Sequence, residues 1–157
     1  MEQTQAQLGR HLDELSVGDQ ADYTRLLEEQ HVFLYMGVSG DLNPLYLDRH
    51  YAGRTRYERP IAPANLVAGF VAGAVSQALP GRGSITLAHS YRMLTPARVG
   101  DQLTAHLEVR ALRKRENEAV IGSRVTNQGG DVILEGELVV QPPPRLTPIF
   151  NHMYDNF

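Results

Sequence analysis

Ala64-Asn65-Leu66-Val67-Ala68-Gly69-Phe70-Val71-Ala72-Gly73-Ala74-Val75-Ser76-Gln77-Ala78-Leu79 presents apolar or small side chains on every face when wound as a helix. A helix without a polar face is enclosed on all sides. Its alanines and glycines make it thin, so that a sheet can approach closely. Pro80-Gly81 stops it. The weakly polar run from Ile61 to Leu79 is interrupted by Pro63, Asn65, Ser76 and Gln77. It is a poor match to the roughly 20 strongly apolar residues of a membrane span, and it reads as a buried helix.

Downstream of this helix the period changes to two. In Gln102 to Leu112, Leu103, Ala105, Leu107, Val109 and Ala111 share one face, while Gln102, Thr104, His106, Glu108 and Arg110 share the other. That alternation predicts a half-buried antiparallel strand. Ile85 to Leu94, Ala119 to Asn127 and Asp131 to Gln141 predict three more, with a turn at Glu116-Asn117 and a hairpin at Gln128-Gly129-Gly130. One enclosed helix followed by four long antiparallel strands is an α+β layout in a single domain.

Upstream, residues 1–20 are polar with scattered leucines and predict a short, loosely ordered lead-in; the domain proper spans 21–141. Asp22 to Leu27 predicts a first strand. Glu28-Glu29 opens a helix through Met36, ended by Gly37 and Gly40. A loop and short helix then run to about Tyr57. Residues 142–157 form a tail that begins Pro142-Pro143-Pro144, stiff and extended. Its apolar Ile149, Phe150, Met153, Tyr154 and Phe157 are placed either to dock or to fray.

Composition excludes several functions. The formal net charge of −3 provides no global basic field for nucleic acid. The lack of cysteine rules out disulfides, thiolate metal sites and a cysteine nucleophile. The six histidines show no metal-ligand spacing of the H-x-x-x-H kind, so neither a metal nor a cofactor is expected. The polar, acidic start Met1-Glu2-Gln3-Thr4-Gln5 is unlike a secretory signal, and the expected location is cytoplasmic.

The stretch Ser39-Gly40-Asp41-Leu42-Asn43-Pro44-Leu45-Tyr46-Leu47-Asp48, followed by Tyr51-Ala52, resembles the active-site segment S-G-D-x-N-P-L-H-x-D of MaoC-like, (R)-specific enoyl-CoA hydratases. The resemblance continues in order through Tyr57-Glu58-Arg59-Pro60-Ile61, Leu79-Pro80-Gly81-Arg82-Gly83-Ser84-Ile85, Pro96, Val99-Gly100-Asp101, Asn127-Gln128-Gly129-Gly130 and Glu135-Gly136-Glu137. It implies the hot-dog fold, in which a curved antiparallel sheet wraps a central helix, and it implies a homodimer. The implied ligand is an acyl-CoA or acyl-carrier-protein thioester, handled without a metal or other cofactor. Neither nucleic acid nor a membrane is an expected partner.

In the family, water adds to a 2-enoyl thioester between a carboxylate and an imidazole that share general acid–base work. A backbone N–H at the start of the central helix receives the developing enolate charge. Carried over by resemblance, Asp41 takes the acid position and Asn43 the supporting amide. Tyr46 stands where the family has its histidine. Pro63-Ala64-Asn65 replaces the family's H-G-M/L, leaving Ala64 and Asn65 for the oxyanion and substrate. Tyrosine titrates near ~10 and histidine near ~6.5, so Tyr46 can donate a hydrogen bond or orient water but is a poor base at neutral pH. The resemblance therefore implies hydratase or dehydratase chemistry with weak or altered turnover. The alternatives are a non-catalytic thioester-binding or partner subunit, and a thioesterase that uses one carboxylate. His50, one helical turn beyond Tyr46, and His89 read as surface or structural residues. Asp48 reads as a helix N-cap. Arg49, Arg54, Arg56 and Arg59, and the turn Arg113-Lys114-Arg115, could meet CoA phosphates or simply be solvated.

Overall fold

A computed structural model describes residues 8–145. Five strands form one antiparallel sheet: β1 (Gln20–Leu26), β2 (Ile85–Met93), β3 (Gln102–Arg113), β4 (Glu118–Thr126) and β5 (Val132–Gln141), in the order β1-β3-β4-β5-β2. The alternation does what period two demands from Gln102 to Arg110; beyond it a bulge corrects the expected face, and Leu112 rather than Ala111 packs against the core. Leu103, Ala105, Leu107 and Val109 are buried on one face, and the intervening Gln102, His106, Glu108 and Arg110 are exposed. Register carries that face across the sheet, for Leu107 pairs with Ser123, Val109 with Ile121, and Ile121 in turn with Leu138. β-bulges between Val109 and Ala111 and between Thr86 and Ala88 bend the strands.

Among the described residues three α-helices accompany the sheet: α1 (Glu29–Ser39), α2 (Arg49–Ala52) and α3 (Ala64–Gln77). The long apolar helix α3 packs against β1, β2, β3 and α1. Val67, Val71, Ala74 and Val75 are buried beneath it among Leu103, Leu107, Ile121, Leu134 and Leu138. Burying a Val or Leu side chain is worth about 1.5–3 kcal/mol each, and this interface holds the main core. Enclosure is not complete, however. Ala64, Asn65, Gly69 and Gln77 are exposed. A Cβ built at Gly69 or Gly73 meets nothing within 4 Å. This corrects the expectation that these glycines admit the sheet: they border open space.

Two further expectations are corrected. Gly37 does not end α1, which continues to Ser39. Termination falls to Gly40, whose φ of +70° is the left-handed cap conformation that glycine adopts without strain. The lead-in is not loose from residue 8 onward. Gly9 N–H donates to Arg82 O (2.8 Å) and Arg10 N–H to Pro80 O (2.9 Å), Leu12–Glu14 form a 3-10 turn, and Leu15 is buried. The far end of the described chain comes back to the same place: His11 Nδ1 meets Pro143 O at 2.7 Å, and Arg145 pairs with Asp13 at 2.8 Å. Pro142 and Pro143 are buried. The apolar tail residues Ile149 to Phe157 lie outside the described residues.

Candidate functional site

The site begins where α1 ends. Ser39 Oγ donates to Tyr35 O (2.7 Å) and accepts from Asp41 N–H (3.1 Å). With the left-handed turn at Gly40, this folds residue 41 back under the last turn of the helix. The Asp41 carboxylate is partly buried there, and two phenols donate to the same oxygen: Tyr46 Oη to Oδ2 at 2.9 Å and Tyr35 Oη to Oδ2 at 3.3 Å. No described side chain donates to Oδ1.

The rest of the segment is shaped by its own side chains. Asn43 Oδ1 accepts from Leu45 N–H (3.0 Å), an Asx turn, and Asn43 O accepts from Tyr46 N–H (3.1 Å). The turn sets the direction from which Tyr46 reaches Asp41. Asp48 Oδ1 accepts from His50 and Tyr51 N–H, both at 2.9 Å, and caps α2 as its sequence position implied. Ile61 N–H donates to Leu45 O (3.1 Å) and Ala62 N–H to Ala97 O (2.7 Å), which ties this segment to the entry of α3. Pro63 occupies the N-cap, and its carbonyl accepts from Leu66 and Val67 N–H. The first N–H groups of a helix, here those of Ala64 and Asn65, have no partner within it.

Two cavities flank the carboxylate. One, of about 600 Å³, brings together Asn43, Tyr46 and Ala64, with Arg56, Tyr57, Met93 and Arg98 also on its wall. The other, of about 460 Å³, is mostly apolar and lies between α1 and α3; Tyr35, Asn65, Leu34, Val38, Gly69, Phe70 and Gly73 line it. Asp41 itself lines neither, but its two phenol partners each line one. The sequence-predicted residues are thus gathered only in part: Asn43, Tyr46 and Ala64 share a cavity, Asn65 lines the other, and Asp41 lines neither and touches them only through Tyr46 and Tyr35.

Burial, followed by the hydrogen bond to Asp41, pushes the Tyr46 phenol up to about 12. It remains protonated across the neutral range and acts as a donor. His50 and His89 are exposed and line neither cavity; His89 stacks on Tyr91 with ring centroids 4.8 Å apart. Of the arginines singled out from sequence, only Arg56 reaches a cavity wall, and its guanidinium lies 4.9 Å from the Tyr57 ring centroid. Two residues escaped the sequence reading. Tyr35 is one. The other is Arg98, whose guanidinium donates to the carbonyls of Arg59, Pro60 and Tyr57 at 2.8–2.9 Å and so fixes the chain ahead of α3. Burial, then the neighbouring Arg59 charge, lowers the Arg98 pKa from its usual value. Among the described residues no group of three His, Asp or Glu side chains could hold a metal ion, and no helix is long and apolar enough to cross a membrane.

A five-stranded antiparallel sheet packed on one long apolar helix, with a carboxylate-bearing loop ahead of that helix, is the hot-dog architecture. Residues 11–129 match the family described as MaoC like domain, and the chain belongs to that family. It is 40% identical over 129 residues to an (R)-specific enoyl-CoA hydratase of Aeromonas caviae, covering 82% of this chain and 96% of that protein. It is 27% identical over 135 residues to a 3-hydroxybutyryl-CoA dehydratase of Methylorubrum extorquens, covering 86% and 85%. Among solved structures, the unliganded R-hydratase PhaJ1 of Pseudomonas aeruginosa superposes with a TM-score of 0.79 at 34% identity, covering 90% of this chain and 96% of that one.

Proposed function

We propose that the protein is a cytoplasmic hydro-lyase acting on an acyl thioester of CoA or acyl-carrier protein, adding water to a 2-enoyl chain or removing it from a 3-hydroxyacyl chain. The observation that carries this reading is the Asp41 carboxylate, held through Oδ2 by two phenols while no side chain among the described residues donates to Oδ1, on the loop tied to the start of α3. The kinship with hydratases and dehydratases supports it.

In this reading Asp41 is the acid and base. Water bonds through its oxygen to C3 and gives a proton to Asp41. The C2=C3 pair moves toward the thioester oxygen as an enolate, which the Ala64 N–H receives at the positive end of α3. C2 then takes the proton from Asp41, so that one water is added in all. Tyr46 donates to Asp41 and shapes the water site, Asn43 sets the loop, and Asn65 contacts the acyl portion. Turnover is slower than with an imidazole at position 46, because the second acid–base group is missing. A positioned acid or base contributes roughly 10²–10⁴-fold in rate. The apolar cavity beside Gly69 and Gly73 takes the acyl chain. A homodimer accords with the edge strand β2, which leaves Ile85 and Leu87 more than half exposed.

The test is the loss of enoyl-thioester absorbance from crotonyl-CoA and longer 2-enoyl-CoAs, with Asp41→Asn alongside. The expected result is slow hydration that falls at least a hundredfold in the variant. Absorbance that stays constant at high protein concentration sinks the reading. Tyr46 held protonated favours one competitor, a thioester-binding subunit without turnover; binding of crotonyl-CoA without its hydration would establish that instead. Release of free thiol would mark a thioesterase.

A further inference from the structure

We propose that Tyr35 is a positioning residue for Asp41: it clamps the carboxylate through Oδ2 from the helix side, opposite Tyr46, so that Oδ1 alone is presented for proton transfer. Its catalytic part rests on the hydratase reading above; its structural part does not.

Tyr35 holds residue 41 at two points. Its carbonyl accepts from Ser39 Oγ (2.7 Å), which in turn accepts the Asp41 N–H (3.1 Å), and its phenol donates to Oδ2 (3.3 Å). The backbone and the carboxylate of one residue are thus both referred to the same turn of α1. Tyr46 supplies the complementary bond at 2.9 Å from the loop side. Two donors on one oxygen oppose rotation of the carboxylate that would exchange Oδ1 and Oδ2. The 3.3 Å contact lies beyond the usual 2.5–3.0 Å of O–H···O bonds, so the share of Tyr35 is the smaller of the two. Tyr35 also lines the apolar cavity while Tyr46 lines the other. The clamp therefore spans the wall between the two spaces and fixes the carboxylate at their boundary.

The test is a double-mutant cycle on the full chain, Tyr35→Phe with Asp41→Ala, read by urea unfolding, together with hydration kinetics of Tyr35→Phe. Phe keeps the ring in the cavity wall and removes only the donor. With Asp41 present, Tyr35→Phe should lower the folding equilibrium constant about threefold to tenfold, the range for one hydrogen bond of ordinary net worth. With alanine at position 41 the same change should cost less than twofold. In the hydration assay kcat should fall by a similar factor while KM stays within twofold. Equal losses in both backgrounds would overturn the clamp, since the phenol would then act through packing or solvent. A change confined to KM would overturn its positioning role. If the wild-type chain shows no hydration, the functional reading fails while the unfolding cycle still decides the clamp; if hydration occurs without coupling in the cycle, the clamp fails alone. Should Asp41→Ala not fold, Asp41→Leu serves as the background that lacks an acceptor.

Discussion

Replacing Tyr46 by histidine should speed hydration, and the size of the gain follows from the site. With the phenol pushed up to about 12, only about 3 molecules in 10⁵ carry tyrosinate at pH 7.5. A histidine of ordinary pKa, about 6.5, is about nine-tenths neutral there. The base form is thus about 3 × 10⁴ times more abundant in the variant. Tyrosinate is the stronger base, however. With a Brønsted slope of roughly 0.5, the value for thiolate attack, a gap of about 5.5 units returns some 600-fold in its favour. Against a wild type working through that trace of tyrosinate, the net advantage of histidine is about fifty-fold, the lower bound when Asp41 alone does the acid–base work. Geometry points the same way, for the phenol oxygen lies 2.9 Å from Asp41 Oδ2. The shorter imidazole would stop short of that oxygen and leave room for a water between them. Steady-state hydration of crotonyl-CoA by wild type and Tyr46→His between pH 5.5 and 9 measures the effect. The variant should gain at least tenfold in kcat at pH 7.5, along with an acid limb near 6.5 from the imidazole. A Tyr46→His protein that is folded yet no faster than wild type would refute the argument that position 46 lacks a base and that the surroundings are otherwise competent.

Two further outcomes test other parts of the structure. Gly73→Val should narrow the apolar cavity without disturbing the fold, because a Cβ at 73 meets nothing within 4 Å. In that variant kcat/KM for an eight-carbon enoyl-CoA should drop at least tenfold, and for crotonyl-CoA less than threefold. The folded-state pKa of Tyr46 is raised above its unfolded value near 10, so its contribution to stability is fully present below pH 10. It is lost as pH climbs from 10 through about 12, because the unfolded chain releases that proton first. Urea unfolding across pH 9–11.5 should therefore show a steeper alkaline decline for wild type than for Tyr46→Phe; parallel declines would contradict the shift.

Most of β3 was legible because ten residues, Gln102 to Ala111, alternate without a break, and each turn around it carries its own Gly, Asn or Asp; the bulge after Val109 was not, because an extra residue leaves no mark on the pattern. The position of α3 was legible from its run of small and apolar residues, but its exposed stripe was not. Composition reports that a helix lacks a polar face, not which neighbours come to cover it. Gly37 misled because a glycine inside a helix costs only about 1 kcal/mol, which the continuing turn of α1 absorbs, whereas Gly40 adopts the reversed backbone that ends it. The order Asp41, Asn43, Tyr46, Ala64 came from the resemblance, and the structure brings the last three to one cavity. Tyr35 lay beyond sequence reasoning. Its contact with Asp41 spans six residues across a left-handed turn, a relation that neither the 3.6 nor the 2.0 period expresses. The docked lead-in was missed for a similar reason: Gly9 is needed because it lies against the Pro80-Gly81 backbone, a close approach that leaves no periodic trace.

The meeting of His11 with Pro143, and of Asp13 with Arg145, makes the domain nearly a closed loop of chain. The described chain can therefore be opened at another point. A gene rearranged to start at Gly130 and finish at Gly129, with a short flexible linker joining Arg145 to Leu8, would keep every strand neighbour and leave the Asp41 loop inside the new chain. Such a circular permutant offers fusion points at the β4–β5 hairpin, next to the Leu94-Thr95 segment that borders the Tyr46 cavity.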